Sequence, residues 1–501
     1  MYIPELCFGN GRDQIKRQNM TTERRKKYRE QICTIFAVAF LAVIFFAAAL
    51  MFHQFKAAYS KKAADASESE TALTHSEEET DTEKQEEDDA AERQRQNILL
   101  QAERMSAAYD YDEAIRLIRT IAGCQTDEAC QEKIRLYQAQ KASCVPVNLE
   151  EVTHVFYHSL VVDPIRAFAG QERDPQAAGN NQWMTTVGEF EKIIQEMYDR
   201  GYVIVSLHDL VNRTADENGD PVFSPAEILL PPGKKAYVLS QDDLSYYHCY
   251  DNYGYAARMV VNEEGKPVCE YIQADGTRVT GAYDIVPLLD AFIEQHPDAS
   301  YRGAKGTIAL TGYNGILGYR TDNSYQVINK NLNQDKKQWL IDHPDFDIET
   351  ERAEAKKVAD ALKEDGWEFA SHTWGHIRIG DSSLETLMRD TAKWRENVEP
   401  LVGAVDTIVF AHGQDLGEWG AYDESDAKYR YLREQGYRIF CNVDSNPYRT
   451  WIGRDYLRQG RRNLDGYRLY RNAVGKENNI ADLVDAADIL DPMRPPVPML
   501  E

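Results

Sequence analysis

Trp367-Glu368-Phe369-Ala370-Ser371-His372-Thr373-Trp374-Gly375-His376 reads as a short apolar strand that opens into a turn carrying two histidines four residues apart. Ala236-Tyr237-Val238-Leu239-Ser240-Gln241-Asp242-Asp243 has the same build, an apolar strand that ends in two adjacent carboxylates. Folds that alternate strand and helix gather their reacting groups at such strand ends. On a helical turn, a spacing of four puts both imidazoles on one face. Two imidazoles and one carboxylate make a three-ligand site for a divalent ion with a position left for water. The remaining carboxylate is then placed to take a proton from that water. Each half also has a plain reading: adjacent aspartates commonly cap helices, and two histidines four apart are commonly unrelated.

Outward from these stretches the pattern alternates. Strands are expected at Val152–Tyr157, Val203–Leu207, Ala236–Ser240, Gly306–Leu310, Glu368–Ser371, Thr407–Ala411 and Arg438–Val443. Helices are expected at Val187–Tyr198, Ile285–Gln295, Thr350–Glu364, Leu384–Val398 and Ser425–Gln435. Repeated strand–helix units imply a parallel sheet with helices outside, and about seven units over this length suit a barrel. Residues 246–283 break the rhythm. Turn residues at Glu263-Glu264-Gly265 and Ala274-Asp275-Gly276 mark a hairpin insertion, and Tyr246, Tyr247, Tyr250, Tyr253 and Tyr255 give it a surface on which sugar rings stack, or else a packing face.

The two motifs resemble those of the polysaccharide deacetylases, the NodB-homology carbohydrate esterases. Their first motif, T-F-D-D-G, stands here as Ser240-Gln241-Asp242-Asp243-Leu244, and their second, H-[ST]-x-x-H, is intact. The likeness runs over residues 150–475. It implies an α/β fold, a distorted (β/α)7 barrel. It implies Asp243, His372 and His376 as ligands of one divalent metal ion, Zn2+ by the donor set, though other first-row ions are tolerated. It implies Asp242 as the base. The implied reaction is hydrolysis of N-acetyl groups on an extracellular GlcNAc polymer such as peptidoglycan or another surface polysaccharide.

The sequence departs from the family elsewhere. The L-x-H motif that supplies the acid for the leaving amine is replaced by Arg468-Leu469-Tyr470, and no histidine follows His412. The third motif is replaced by Val409-Phe410-Ala411-His412-Gly413-Gln414-Asp415, which makes His412 the candidate substitute acid. His158, at the end of the first strand, and Asp444 and Trp451, in the region of the fourth motif, are candidates for substrate binding. A second reading, a catalytically weak glycan-binding or surface scaffold protein on the same fold, draws on the missing L-x-H.

The 501 residues call for more than one domain, and a net charge of −25 argues against nucleic-acid binding. Ile32–Phe52 is an uncharged run of 21 residues, long enough for a hydrocarbon layer of about 30 Å. The basic residues ahead of it, among them Arg24, Arg25, Lys26, Lys27 and Arg29, keep that flank cytoplasmic and place the rest outside. A cleaved signal peptide is the rival, with an unusually long apolar region. The expected order is a basic cytoplasmic tail (1–31), a single membrane helix (32–55), a disordered acidic linker (56–92), a helical segment (93–145) and an extracellular barrel (146–501). The linker carries 13 acids and one lysine between Ala63 and Glu92. Of the eight cysteines, Cys124 with Cys130, or Cys249 with Cys269, bracket chain reversals and are expected to bridge.

Overall fold

The structure, a computed structural model, describes residues 75–499 apart from 329, 331, 418–419 and 445. The basic tail and the apolar run Ile32–Phe52 lie outside the described residues. Among the described residues no helix is long and apolar enough to cross a membrane.

Residues 75–92, marked by composition as an unfolded linker, lie in a helix, His75–Ala107. Acid content predicts little buried surface, but Glu, Lys, Gln, Ala and Arg are strong helix formers. One turn on from Glu92, Gln96 donates to it at 2.6 Å. From Leu99 onward the chain forms one unit. Helices Tyr111–Ile118 and Glu128–Ser143 pack together through Tyr111, Ala114, Ile115 and Ile118 on one side and Cys130, Ile134 and Tyr137 on the other. Tyr109 donates to the Asp298 carbonyl at 2.8 Å, tying this segment to the barrel. Neither expected bridge forms: Cys124, Cys130 and Cys269 are not disulfide-bonded. Cys269 instead points into the core, where the Tyr246 hydroxyl is 3.7 Å from its sulfur.

Seven parallel strands close the barrel: β1 (Thr153–Tyr157), β2 (Lys235–Asp242), β3 (Thr307–Leu310), β4 (Glu368–Ser371), β5 (Thr407–Val409), β6 (Ile439–Val443) and β7 (Leu457–Asn463). Each pairs with the next in chain order, and β7 returns to β1 through Arg462↔Val155 and Asn463↔Phe156. This is a closed (β/α)7 barrel, with one strand misassigned by sequence. Tyr202–Ile204 is a strand, but it only flanks the start of β2. The seventh barrel strand is β7, Leu-Arg-Gln-Gly-Arg-Arg-Asn, whose three arginines hide it from any apolar pattern. All seven of its residues are buried, because each arginine has a carboxylate or other acceptor to meet.

Strand alternation then sorts the two faces. Val155, Tyr157, Ile308, Leu310 and Phe369 point outward onto helices such as Val187–Asp199 and Ile348–Glu364. The first of these starts at a capping box, Thr186 with Glu189, and buries Phe190, Ile193, Ile194 and Met197. Each such side chain contributes about 1.5–3 kcal/mol on burial. The opposite face of the strands, the barrel interior, is polar: His154, Ser240, Asp242, Gln459 and Arg461 hydrogen-bond within it. The insertion is a three-stranded antiparallel meander, Ala256–Val261, Pro267–Ile272 and Arg278–Gly281. Tyr246 is buried against Cys269 of the meander, and Tyr247, Tyr250 and Tyr255 are buried with Val161, Ala167, Phe168 and Met184, so these rings serve packing rather than an open sugar platform.

At the end of the barrel where the strands begin, His208 bridges two carboxylates, 2.9 Å from Glu368 and 3.1 Å from Asp406. Burial on its own would lower its pKa, but the hydrogen bonds it donates to Asp406 and Glu368 outweigh that and raise it to about 10. A raised histidine stabilises the fold fully below its unfolded value, about 6.5, and loses that contribution as pH climbs through about 10. His208→Gln is therefore expected to lower stability at pH 7 by about 1 kcal/mol, a modest value because the pair is partly exposed. The deficit should close above pH 10. An imidazole NMR titration with a midpoint near the ordinary value would overturn this assignment.

Candidate metal centre

Consecutive residues of a strand face opposite ways, so Asp242 and Asp243 cannot both point into one site on regular β geometry. Asp243 resolves this by taking a left-handed conformation, φ 59°, just past the end of β2. Its amide donates to the Ala309 carbonyl at 3.0 Å, which anchors the turn to β3. His372 continues the inward face of β4. The residues after it form a loop and not the helical turn that the spacing suggests: Thr373 and His376 have φ of 63° and 53°. Asp390 holds that loop, accepting from the amides of Trp374 at 2.7 Å and Gly375 at 2.8 Å. Left-handed non-glycine residues cost stability and collect at functional sites.

The folded loops bring Asp243, His372 and His376 together, with one donor atom from each within 4.8 Å of the others. Asp243 Oδ2 lies 3.6 Å from His376 Nε2. His372 Nδ1–H donates to the Val409 carbonyl at 2.8 Å, which fixes the tautomer and leaves Nε2 with its lone pair toward the site. His376 Nε2 is buried with no protein partner. Burial pushes the His372 pKa down to about 4 and that of His376 to about 3, so both rings are neutral at pH 7. Two neutral imidazoles with free lone pairs and one carboxylate fit a divalent ion of the zinc type.

Asp242 is turned differently. Arg461 grips it with both ends of its guanidinium, at 2.7 Å and 3.0 Å. The same guanidinium also donates to Ser240 and lies over the Phe156 ring at 4.3 Å. Burial on its own would raise the Asp242 pKa, but the charge of Arg461 and its hydrogen bonds outweigh it and hold it at about 2. Asp242 Oδ2 is 3.9 Å from His372 Nε2, beside the triad. Arg461 is the functional residue that the sequence does not reveal. Its signal is a run of arginines between Leu457 and Leu464, which reads as surface until the carboxylate opposite is known.

His412, also left-handed at φ 59°, sets its ring 4.3 Å from that of His376. Its Nε2–H donates to the His376 carbonyl at 3.2 Å, and its Nδ1 is buried without a partner. Burial, and then Arg378, lower its pKa. His158 follows β1 on the inner face, near Asp242 and His376. The other two candidates lie apart. Asp444 turns its carboxylate onto the outer face of β7, where a Cβ on Gly460 would meet it at 2.6–2.8 Å. Trp451 pairs with Arg458 near the start of β7, toward the opposite end of the barrel, because strand Thr450–Ile452 runs antiparallel to β7.

The sequence matches no family model and no curated protein. Among solved structures, the chain is similar to Streptococcus pyogenes deacetylase PplD in complex with acetate. The likeness covers 65% of this chain and 98% of that one, at 14% identity and a TM-score of 0.32.

Proposed function

We propose that the protein is a membrane-anchored, metal-dependent deacetylase that hydrolyses N-acetyl groups of a GlcNAc-containing extracellular polysaccharide, peptidoglycan or another. One observation carries the reading: three donors converge at the barrel mouth while a fourth, Asp242, stands beside them and is held out of their set by Arg461. A purely structural ion site has no use for that separated carboxylate. A divalent ion held by Asp243, His372 and His376, Zn2+ by the donor set, would supply Lewis acidity to the acyl oxygen and to a water.

The residues of the chain supply the proton handling. Asp242 accepts the proton of the attacking water, and Arg461 keeps its oxygens aimed and ionised. Loss of the C–N bond leaves an amine that needs a proton. His412 lies beside the triad without being a ligand; its Nδ1, which has no competing partner, must first take up a proton, the one that Asp242 accepts from the water, before it can pass it to the amine. The experiment is acetate release from a GlcNAc oligomer by the zinc-loaded protein. Stoichiometric metal without acetate would favour a glycan-binding scaffold instead.

The anchor is part of the same proposal. It rests on the 21-residue apolar run and its basic flank, with residues 1–30 cytoplasmic and 57–501 outside. Protease added to intact cells is expected to remove the barrel. Full protection of the barrel would overturn the topology and leave the chemistry standing.

A further inference from the structure

Asp243 turns only one oxygen toward the histidines. Its Oδ2 lies 3.6 Å from His376 Nε2, while Oδ1 accepts the Tyr247 hydroxyl at 2.6 Å. A carboxylate only accepts, so Tyr247 spends its single proton there, and the neighbouring Thr311 hydroxyl donates to the phenol oxygen. Tyr247 has little freedom to move. It is buried, with its ring stacked on Tyr313 at 5.3 Å and 19° and set against Tyr250 at 5.7 Å. Tyr250 stacks in turn on Tyr255 at 4.7 Å.

We infer that Tyr247 restricts Asp243 to one-oxygen ligation, so that the site favours a small four-coordinate ion such as Zn2+ over ions that want more oxygen donors. The inference rests on the reading of Asp243, His372 and His376 as a metal site. Turning the second Asp243 oxygen onto an ion would weaken its charge-assisted hydrogen bond from Tyr247. Zinc bound by nitrogen and oxygen donors is satisfied by four ligands, whereas harder ions gather six or more oxygens and readily take both oxygens of a carboxylate. Tyr247 is a positioning residue: it acts through Asp243.

The test is the affinity of the full chain for Zn2+ and for Mn2+, measured by chelator competition. Tyr247→Phe is expected to weaken Zn2+ binding by about 10–100-fold, the usual cost of losing an outer partner of a ligand. It should also narrow the preference for Zn2+ over Mn2+. Thr311→Val disturbs the same buried hydroxyl pair but leaves the Tyr247–Asp243 bond, and is expected to keep wild-type affinity and preference. Unchanged affinity in Tyr247→Phe, or an equal loss in Thr311→Val, overturns the inference and leaves the metal site intact. A wild-type chain that binds no divalent ion overturns the metal reading and this inference with it. If Tyr247→Phe does not fold, a crystal structure of the zinc-loaded wild type decides: Asp243 Oδ1 retained on Tyr247 supports the inference, and both oxygens on the ion overturn it.

Discussion

His372→Ala and His376→Ala are each expected to abolish stoichiometric zinc and acetate release together. Both side chains offer a neutral Nε2 that no protein group uses, so either loss removes a donor and not a helper. The fall in affinity should exceed the roughly 10–100-fold that follows loss of an outer partner. Acid should do the same reversibly. Their pKa values of about 4 and about 3 lie below the ordinary value, and the ligating form is the neutral one. Zinc content is therefore expected to hold from pH 8 to about 5 and to fall as pH drops through about 4. His372→Ala also strands the Val409 carbonyl, so thermal melts of apo wild type and variant must accompany the metal analysis. A variant that melts as wild type and still binds one zinc would remove His372 from the site.

Asp242→Asn is expected to keep zinc and lose turnover by about 10²–10⁴-fold, the usual value of general-base assistance. The structure adds a complication. Asp242 is one half of a buried, two-point ion pair, so the amide leaves the Arg461 charge uncompensated, a defect that typically costs about 3–5 kcal/mol. Low activity in the single variant thus has two sources. The double variant Asp242→Leu with Arg461→Met separates them. Replacing a buried pair by apolar groups of similar size is often neutral in stability. Stability should return while turnover stays lost, and zinc should remain bound in both variants. Recovery of acetate release in the double variant would exclude Asp242 as the base.

Those two experiments divide along the line between what the sequence showed and what it hid. The three converging donors were legible because each follows an apolar strand, and because the H-x-x-x-H spacing survives a change of local geometry. A loop with left-handed residues at Thr373 and His376 delivers both rings to the site as well as a helix would. The order of strand and helix was legible for six barrel strands for the same reason, since their outward faces are apolar. The seventh was not. Arg458, Arg461 and Arg462 are buried only because Asp415, Asp242 and Asp482 meet them, and a pairing across more than 200 residues in the case of Asp242 leaves no trace in local pattern. Trp451 and Asp444 lie away from the three donors because a strand running antiparallel to β7 carries one toward the other end and an outward turn takes the other to the outer face of β7. The tyrosines after the DD pair were ambiguous in sequence because an aromatic serves a core and a sugar equally well.

The arginine strand also sets a clock on the molecule. β7 is the last staple of the ring: until it docks between β6 and β1, the chain already holds Asp242, Asp243, His372 and His376, yet Asp242 has no guanidinium beside it. Synthesis proceeds from the N-terminus, so a chain threading outward through a membrane would carry its donors across first and its partner for the base near the end. On the proposed reading, Asp242 lacks its Arg461 partner until the last strand closes the ring.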